Sequence, residues 1–262
     1  MKIRFPLYVA FTSILPAMVL SAEPDAKQIM TRSQEATKMA GSESIATLTI
    51  FDNKGNTRVR KFSSASKKYP DGVSKMVMRF LEPADVKGTG ILTFDNENRD
   101  DDMWIYLPAL RKTRRIISAE KTKSFMGSEF SNADITTPNI DDYTYTLSGS
   151  ESIRGIDCWK IEAVPASGDI AESFGYSKKI LWVAKTDYMA RKTEYYDLDG
   201  KLLKVLDIFA VKLLDEKHGK YQAVDLTMTN VRNKRKSQFK IDKIVFNPDV
   251  NDEYFTTRYL EK

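Results

Sequence analysis

Residues 76–135 hold the pattern that most restricts how this chain can fold. Two extended, half-apolar runs, at 76–94 and 101–116, are followed at 124–135 by a turn rich in Gly and Ser that carries large apolar side chains. Because successive side chains of a strand point to opposite faces, runs of this kind give a sheet with one apolar face. The stretch therefore predicts a curved antiparallel sheet whose apolar face contacts apolar material.

The start of the chain has the features of an export signal. Lys2 and Arg4 precede a mostly apolar run at 7–20, and small residues suitable for cleavage follow at 21–22. The run is short for a membrane-spanning helix, which needs about 20 apolar residues. We therefore expect a signal peptide at 1–22 and a periplasmic protein, secreted across the inner membrane and soluble after cleavage. A retained membrane anchor is the alternative.

Composition narrows the classes of partner and cofactor. Removing residues 1–22 takes away two cations and no acid, so the formal net charge falls from +5 to +3. A weakly basic chain is not a nucleic-acid binder by default, and we expect no nucleic-acid partner. With one cysteine, Cys158, and one histidine, His218, an internal disulfide is excluded and a nitrogen/sulfur metal site nearly so. We expect neither a metal nor a cofactor.

Residues 24–40 predict one amphipathic helix, with Gly41 just past its end. After it, strand-like segments alternate with turn signals such as Asp199-Gly200. Roughly a dozen strands, with no repeat of fixed length, indicate one mainly β domain at 23–262. The segments are 45–51, 57–64, 74–81, 90–94, 103–107, 113–117, 143–147, 158–163, 179–184, 190–196, 202–213, 222–231 and 238–246.

Residues 118–142 break the strand pattern. A long irregular insertion inside a compact β domain is usually functional or disordered. Its embedded Phe125, Met126, Phe130 and Ile135 indicate that it packs against the sheet. This insertion and the N-terminal helix are the only covers available for a large apolar face, so we expect an unfilled apolar cavity beneath them.

Signals for catalysis are poor. The chain has no nucleophile elbow, Gly-rich phosphate loop or HExxH motif. His218 lies in a hydrophilic turn and is expected to be solvated. The acidic run 100–102 lacks the ligand spacing of a calcium loop and is expected at a solvated hairpin tip. Cys158, inside a strand pattern, is interpreted as a small buried apolar residue, with a redox-active thiol as the alternative.

A basic stripe leaves two interpretations open. It is either a charged edge that prevents strand-to-strand aggregation, or a docking surface for anionic lipid head groups or an acidic partner. The stripe consists of Arg111, Lys112, Arg114 and Arg115.

Several short motifs, taken together, carry a family resemblance. They are Leu81-Glu82-Pro83, Gly88-Thr89-Gly90, Asp102-Met103-Trp104-Ile105-Tyr106-Leu107-Pro108, Arg114-Arg115-Ile116 and Ser124-Phe125-Met126-Gly127-Ser128. With them the chain resembles the LolA-like family of outer-membrane lipoprotein-sorting proteins, over essentially all of 23–262. The resemblance implies a half-open antiparallel β-barrel of about 11–12 strands, with an N-terminal helix and a helical or irregular lid insertion over the concave face. It also implies that an arginine on an early strand helps to lock the lid, for which Arg58, Arg60 and Arg79 are candidates.

The function that this resemblance implies is that of a non-catalytic carrier. Such a protein shields the acyl chains of a lipoprotein or lipid in a hydrophobic cavity during transfer toward the outer membrane. An inner-membrane transporter, an outer-membrane acceptor and a monomeric state are expected with it. The alternatives are an adaptor or sensor of an envelope transporter or stress pathway, and a lipid hydrolase. The expected cavity or lid contacts are Phe80, Ile91, Trp104, Tyr106, Phe125, Met126 and Phe130.

Overall fold

The computed structural model describes residues 24–96 and 99–262, so the predicted signal peptide lies outside the described residues. The helices are α1 (Ala26–Thr37), α2 (Gly168–Phe174) and α3 (Thr257–Leu260). The strands are β1 (Gly41–Phe51), β2 (Thr57–Lys68), β3 (Ser74–Glu82), β4 (Gly90–Asp95), β5 (Asp102–Leu107), β6 (Lys112–Arg115), β7 (Tyr143–Ile153), β8 (Ile156–Pro165), β9 (Lys178–Ala184), β10 (Ala190–Tyr196), β11 (Leu202–Asp215), β12 (Lys220–Asn230) and β13 (Lys236–Phe246).

All thirteen strands belong to one antiparallel sheet. Their order is β6-β5-β4-β3-β2-β1-β13-β12-β11-β10-β9-β8-β7. The chain therefore forms two meanders that are joined where β1 pairs with β13. The outer strands β6 and β7 do not pair with each other, so the sheet stays half-open. The predicted fold class is confirmed, with one strand more than the upper expectation.

Strand β1 shows how the sequence produces the concave core. Ala46, Leu48 and Ile50 are buried at every second position, while the residues between them are only half-buried. The sheet is also bulged, because the registers of β1 with β13 and of β2 with β3 each shift by one residue. Bulges bend strands and increase their twist, and so help an open sheet to curl.

Helix α1 covers the β7–β9 side of the concave face. Its Ile29 is fully buried and packs with Trp159, Ile161 and Val183. The helix ends at Thr37, earlier than expected, and Gly41 is the first residue of β1 rather than a helix terminator. A Cβ at Gly41 would lie 2.3 Å from the carbonyl oxygen of Asn247, so this close approach of backbones requires glycine. Within the described residues, no helix is long and apolar enough to cross a membrane.

The C-terminal segment 247–262 covers part of the convex face, which the sequence patterns did not predict. Its Val250, Phe255 and Leu260 are buried against the outward-facing side chains of β2–β4. The approach is close enough that a Cβ on Gly90 would meet Leu260 Cδ2 at 2.9 Å. Strands β2–β5 are therefore covered on both faces.

Candidate functional site

The insertion at 118–142, called the lid below, connects the two outer strands of the sheet. It contains four short 3-10 turns, at Ser118–Glu120, Phe125–Gly127, Ala133–Ile135 and Ile140–Asp142. Because it starts after β6 and ends at β7, it crosses the open side of the half-barrel. The predicted irregular lid over the concave face is confirmed.

Aromatic contacts hold the lid on the sheet. Phe125 and Phe130 of the lid are 2% and 6% exposed. The Phe125 ring centroid lies 6.4 Å from that of Phe80 in β3, which lies 5.3 Å from that of Phe62 in β2. Phe62 in turn lies 5.5 Å from Phe239 in β13. The lid thus extends a row of aromatic rings that runs across the concave wall.

The tip of the lid is a tight turn that presents these side chains. Met126 and Gly127 both have left-handed backbones, with φ of 51° and 74°. The amide of Phe125 donates a hydrogen bond of 2.7 Å to the carbonyl of Phe130. The Ser128 hydroxyl donates one of 2.7 Å back to the carbonyl of Phe125. This local network points two aromatic side chains in the same direction.

The structure brings together five of the seven predicted site residues and separates the other two. One apolar cluster contains Phe80, Ile91, Phe125 and Phe130, with Met126 packed against it. Trp104 and Tyr106 do share one face of β5, as expected, but it is the convex face beneath the C-terminal segment.

The register of β4 with β5 explains this separation. Ile91 is paired with Ile105, so the side chain of Ile105 points inward with that of Ile91, and its neighbours Trp104 and Tyr106 point outward. Ile105 and Met103 are the concave residues of β5. The alternation within β5 was visible in the sequence, but which of its two faces points inward was not.

The wall beneath the lid is occupied by the protein's own side chains. Phe62, Phe80 and Phe125 are among its largest fully buried residues, which differs from the expected unfilled apolar cavity. Empty apolar space forfeits dispersion contacts, so in water the lid and wall close on each other. An open cleft of about 710 Å³ lies beside this packed region, between α1, the β2–β3 end and the second half of the lid. Its lining is mixed, with Met76 and Ile135 next to polar groups such as Glu35.

A buried ion pair anchors the lid to β11. Asp134 Oδ2 of the lid lies 2.6 Å from Lys204 Nζ, and the two side chains are 3% and 6% exposed. The hydroxyl of Tyr176 donates a 2.8 Å hydrogen bond to the other oxygen of Asp134. Two buried charges are tolerated in an apolar interior only when they are paired and hydrogen-bonded. The lid position is therefore specified by this pair.

Glu129 forms a second anchor between the lid and the β12–β13 hairpin. Its backbone amide donates to Ser237 Oγ at 3.0 Å. Its carboxylate accepts a 3.1 Å hydrogen bond from Asn230 and forms an ion pair of 3.1 Å with Arg235. Lys204 joins the two anchors, since its Nζ also donates to the Glu129 carbonyl at 3.2 Å.

The arginines implied by the family resemblance are not among these anchors. Arg79 donates to the carbonyl of Tyr259 and stacks over its ring on the convex face. Arg60 lies on β2, where burial lowers its pKa and Asp85 acts in the opposite direction, and Arg58 is exposed. The buried polar contacts that hold the lid come instead from late strands.

The structure gives the burial and contacts of three residues that the sequence analysis considered as reactive or metal-binding groups. Cys158 is fully buried, and burial raises the pKa of its thiol, which confirms the interpretation as a buried apolar residue. His218 is exposed, but its Nδ1 lies 2.6 Å from Asp215 Oδ2, so it has a carboxylate neighbour that was not expected. Asp102 is not at a solvated tip: it is buried in β5 and pairs with Arg99 and Arg115.

Lys179 in β9 lies among four aromatic rings beside the lid. Its Nζ lies 4.8 Å from the Tyr143 ring centroid, 5.2 Å from Phe174, 5.4 Å from Tyr176 and 5.6 Å from Tyr195. Burial lowers the pKa of this amine to about 8. The folded protein therefore releases this proton at lower pH than the unfolded chain does.

This pKa predicts a rise in stability with pH. From about 8 to the ordinary value of 10.5, the unfolded chain binds a proton at Lys179 that the folded protein does not, so the free energy of unfolding increases with pH. We expect wild type to gain about 2 kcal/mol relative to Lys179→Met between about pH 7 and about pH 9.5, measured by urea unfolding. Lys178→Met, which removes a half-exposed ion pair with Glu162, should keep the wild-type slope. Parallel curves for wild type and Lys179→Met would contradict the assignment.

The fold and lid define the class to which the protein belongs. A LolA superfamily protein from Nitrosomonas europaea superposes with a TM-score of 0.68 over 90% of this chain and 99% of its own, at 21% identity. A domain assigned to outer membrane lipoprotein sorting, from Vibrio parahaemolyticus, reaches 0.83 over 90% and 98%, at 26% identity. The protein therefore has a LolA-like half-barrel, and the predicted resemblance is confirmed.

Two further comparisons identify the family within this fold class. A DUF1329 family protein from Desulfovibrio piger is 30% identical and superposes with a TM-score of 0.83 over 90% of this chain and 97% of its own. A family model described as "uncharacterized protein" matches residues 72–262. No curated protein matches the chain. The chain belongs to the DUF1329 family.

Proposed function

We propose that the protein is a non-catalytic periplasmic carrier that shields acyl chains beneath its lid during transfer toward the outer membrane. The observation that carries this proposal is the lid itself. A half-open sheet with an apolar concave wall is covered by aromatic side chains of an irregular segment, Phe125 and Phe130, rather than by strand pairing. A cover of this kind can be displaced without breaking the sheet.

The composition of the wall suits flexible hydrocarbon. Methionine has three rotatable bonds and fills irregular gaps, and the cluster under the lid contains Met78, Met103 and Met228, with Met76 and Met126 packed against it. A wall of this kind can repack around chains of different length. It has no need of the directional polar groups that fix a rigid ligand.

The closed lid also sets a suitable affinity. Burying one methylene stabilises a complex by about 0.8 kcal/mol, so a 16-carbon chain could contribute about 12 kcal/mol against water. The competing environment is a bilayer, however, which holds the chain about equally well. Displacing Phe125 from the wall offsets part of the gain, and release to a membrane then stays possible.

The cleft beside the lid is the proposed entry. Met76 and Ile135 lie on its lining and also pack against the apolar cluster. An acyl chain entering here would meet apolar side chains continuously from the cleft to the space occupied by Phe125. The polar groups around the opening would remain beside a head group or a lipoprotein's polypeptide.

A related structure and the N-terminal sequence support the periplasmic location of the proposed carrier. The structure from Vibrio parahaemolyticus is a domain assigned to outer membrane lipoprotein sorting. Together with the export signal predicted at 1–22, this favours a periplasmic carrier of lipid or lipoprotein, which we propose to be monomeric. We propose that it is loaded by an inner-membrane transporter and unloaded at an outer-membrane acceptor.

The proposal predicts lipid in the isolated protein. Protein purified from the periplasm should show bound lipid by native mass spectrometry and should take up a fluorescent fatty acid. Met76→Glu places a charge on the proposed path, and since burying an unpaired charge is costly, we expect uptake to fall by at least about tenfold. Val245→Glu, at an exposed apolar position on β13, is the matched control and should bind as wild type does.

Two results would count against the carrier. Absence of lipid from the native spectra, combined with no uptake of the fatty acid, would exclude it. A stable complex with an envelope membrane protein that is indifferent to Met76→Glu would favour an adaptor that uses the same fold.

A further inference from the structure

Residues 108–123, called the basic rim below, carry a charge surplus that the proposed carrier function does not use. The segment contains six Lys or Arg residues and one acid, a surplus of five. The formal net charge of the whole chain is also +5. After the expected loss of residues 1–22 the net charge is +3, so the other residues of the mature chain together carry −2, and the positive excess lies in the edge strand β6 and its two flanking turns.

The rim also exposes large apolar side chains at both ends of β6. Leu110 is 67% exposed and Ile117 is 58% exposed. Among the large apolar residues in the described parts of the chain, these two are the most exposed. A charged edge that only prevents aggregation explains the cations but not two apolar side chains in water.

The backbone of the rim places cations on both faces of the edge. Lys112 and Arg114 share a face with Ile105, while Arg115 shares the opposite face with Trp104. Glu120 contacts both Arg114, at 2.7 Å, and Lys123, at 3.3 Å. These two cations lower the pKa of Glu120 to about 2, so this acid stays ionised and holds Lys123 beside the strand.

Two cations of the rim are available to an outside anion. Arg111 and Lys112 are exposed, and neither forms an ion pair with an acid in the described residues. Arg111 holds a left-handed backbone, with φ of 46°. That conformation is uncommon for a residue other than glycine, asparagine or aspartate.

We propose that the basic rim docks the protein, edge-on, on a membrane surface that contains anionic phospholipid. The cations would lie against lipid phosphates, and Leu110 and Ile117 would enter the interfacial region. Combined charge and exposed apolar side chains are what an anionic bilayer surface binds. A partner polypeptide adding a strand is less well matched, since β6 has only four residues and offers a short backbone edge.

Docking by the rim would bring the base of the lid to the membrane. Ile117 directly precedes the lid, whose first turn begins at Ser118. The proposal concerns the docking surface and stands apart from what the interior holds. Its test must therefore separate surface binding from uptake of a ligand.

The experiment is sedimentation of the purified protein with vesicles of phosphatidylcholine alone or mixed with phosphatidylglycerol. We expect binding only to the mixed vesicles, weakened by added salt. Since each cation near such a surface contributes about fivefold, Arg111→Gln with Lys112→Gln should weaken binding about thirtyfold. Leu110→Ser with Ile117→Ser should weaken it about tenfold.

Matched variants and a second readout complete the test. Lys217→Gln with Lys243→Gln, and Val59→Ser with Val245→Ser, alter exposed residues outside the rim and should bind vesicles as wild type does. All four double variants should keep wild-type uptake of a fluorescent fatty acid, so docking and carrying are measured separately. Equal binding to both vesicle types, no binding, or rim variants that bind as wild type would each overturn the proposal. Capture on an acidic polypeptide without affinity for vesicles would overturn it too.

Discussion

Replacing Asp134 with alanine is expected to lower the free energy of unfolding by about 3–5 kcal/mol. The substitution leaves the ammonium group of Lys204, 6% exposed, without its counter-charge 2.6 Å away. It also removes the acceptor of the Tyr176 hydroxyl. Urea unfolding at neutral pH measures the change, with the midpoint interpreted at constant slope.

Two further variants identify the cause of that loss. Asp134→Leu combined with Lys204→Met removes both charges, and since apolar replacement of a whole buried pair is often neutral or stabilising, it should recover most of the stability. Glu162→Ala breaks the half-exposed pair with Lys178 and should cost at most about 1 kcal/mol. If Asp134→Ala is no worse than Glu162→Ala, the ion pair does not fix the lid.

Replacing Phe125 with alanine should destabilise the protein by about 3–5 kcal/mol, as truncation of a buried aromatic residue usually does. It should also open space against Phe80 and Phe62 that a hydrocarbon chain can enter. A saturating fatty acid binds only the folded state and therefore stabilises it; at a concentration 100 times the Kd, the gain is about 2.7 kcal/mol. We expect Phe125→Ala to recover more stability from fatty acid than wild type gains, measured by urea unfolding with and without ligand.

The matched control lies on the other face of the sheet. Phe255 is buried to a similar extent beneath the C-terminal segment, so Phe255→Ala should be destabilised comparably, yet gain no more than wild type from fatty acid. Equal recovery by both variants would mean that the ligand fills any cavity. No recovery by Phe125→Ala would place the acyl site elsewhere than beneath the lid.

Local patterns in the sequence were sufficient for most of the sheet. Alternation along Met76, Met78 and Phe80 marks an inward face, and Gly or Asn turns mark the hairpins. These signals depend on neighbours in the chain, so strand positions and the half-open fold class could be predicted. Helix α2 could also have been found, because Ser167 caps its start and Gly175, with φ of 77°, ends it.

Features that depend on register or on distant residues could not be predicted. Trp104 and Tyr106 alternate correctly, but only the pairing of Ile91 with Ile105 shows that they face outward. Asp134 and Lys204 are 70 residues apart, and neither has a local sign of its partner. The convex cover formed by 247–262 could not be predicted either, since its apolar residues have no periodic pattern that indicates which strands lie beneath them.

The attachment of the lid at both ends limits how the protein can take up a guest. A flap with one free end could swing aside, but this segment continues directly into β6 on one side and β7 on the other. Raising the lid must therefore either bend its middle outward while both ends stay fixed, or move strands β6 and β7 apart. Binding of an acyl chain should therefore change the curvature of the whole half-open sheet. A distance measured between β6 and β7 would then report whether a ligand is bound.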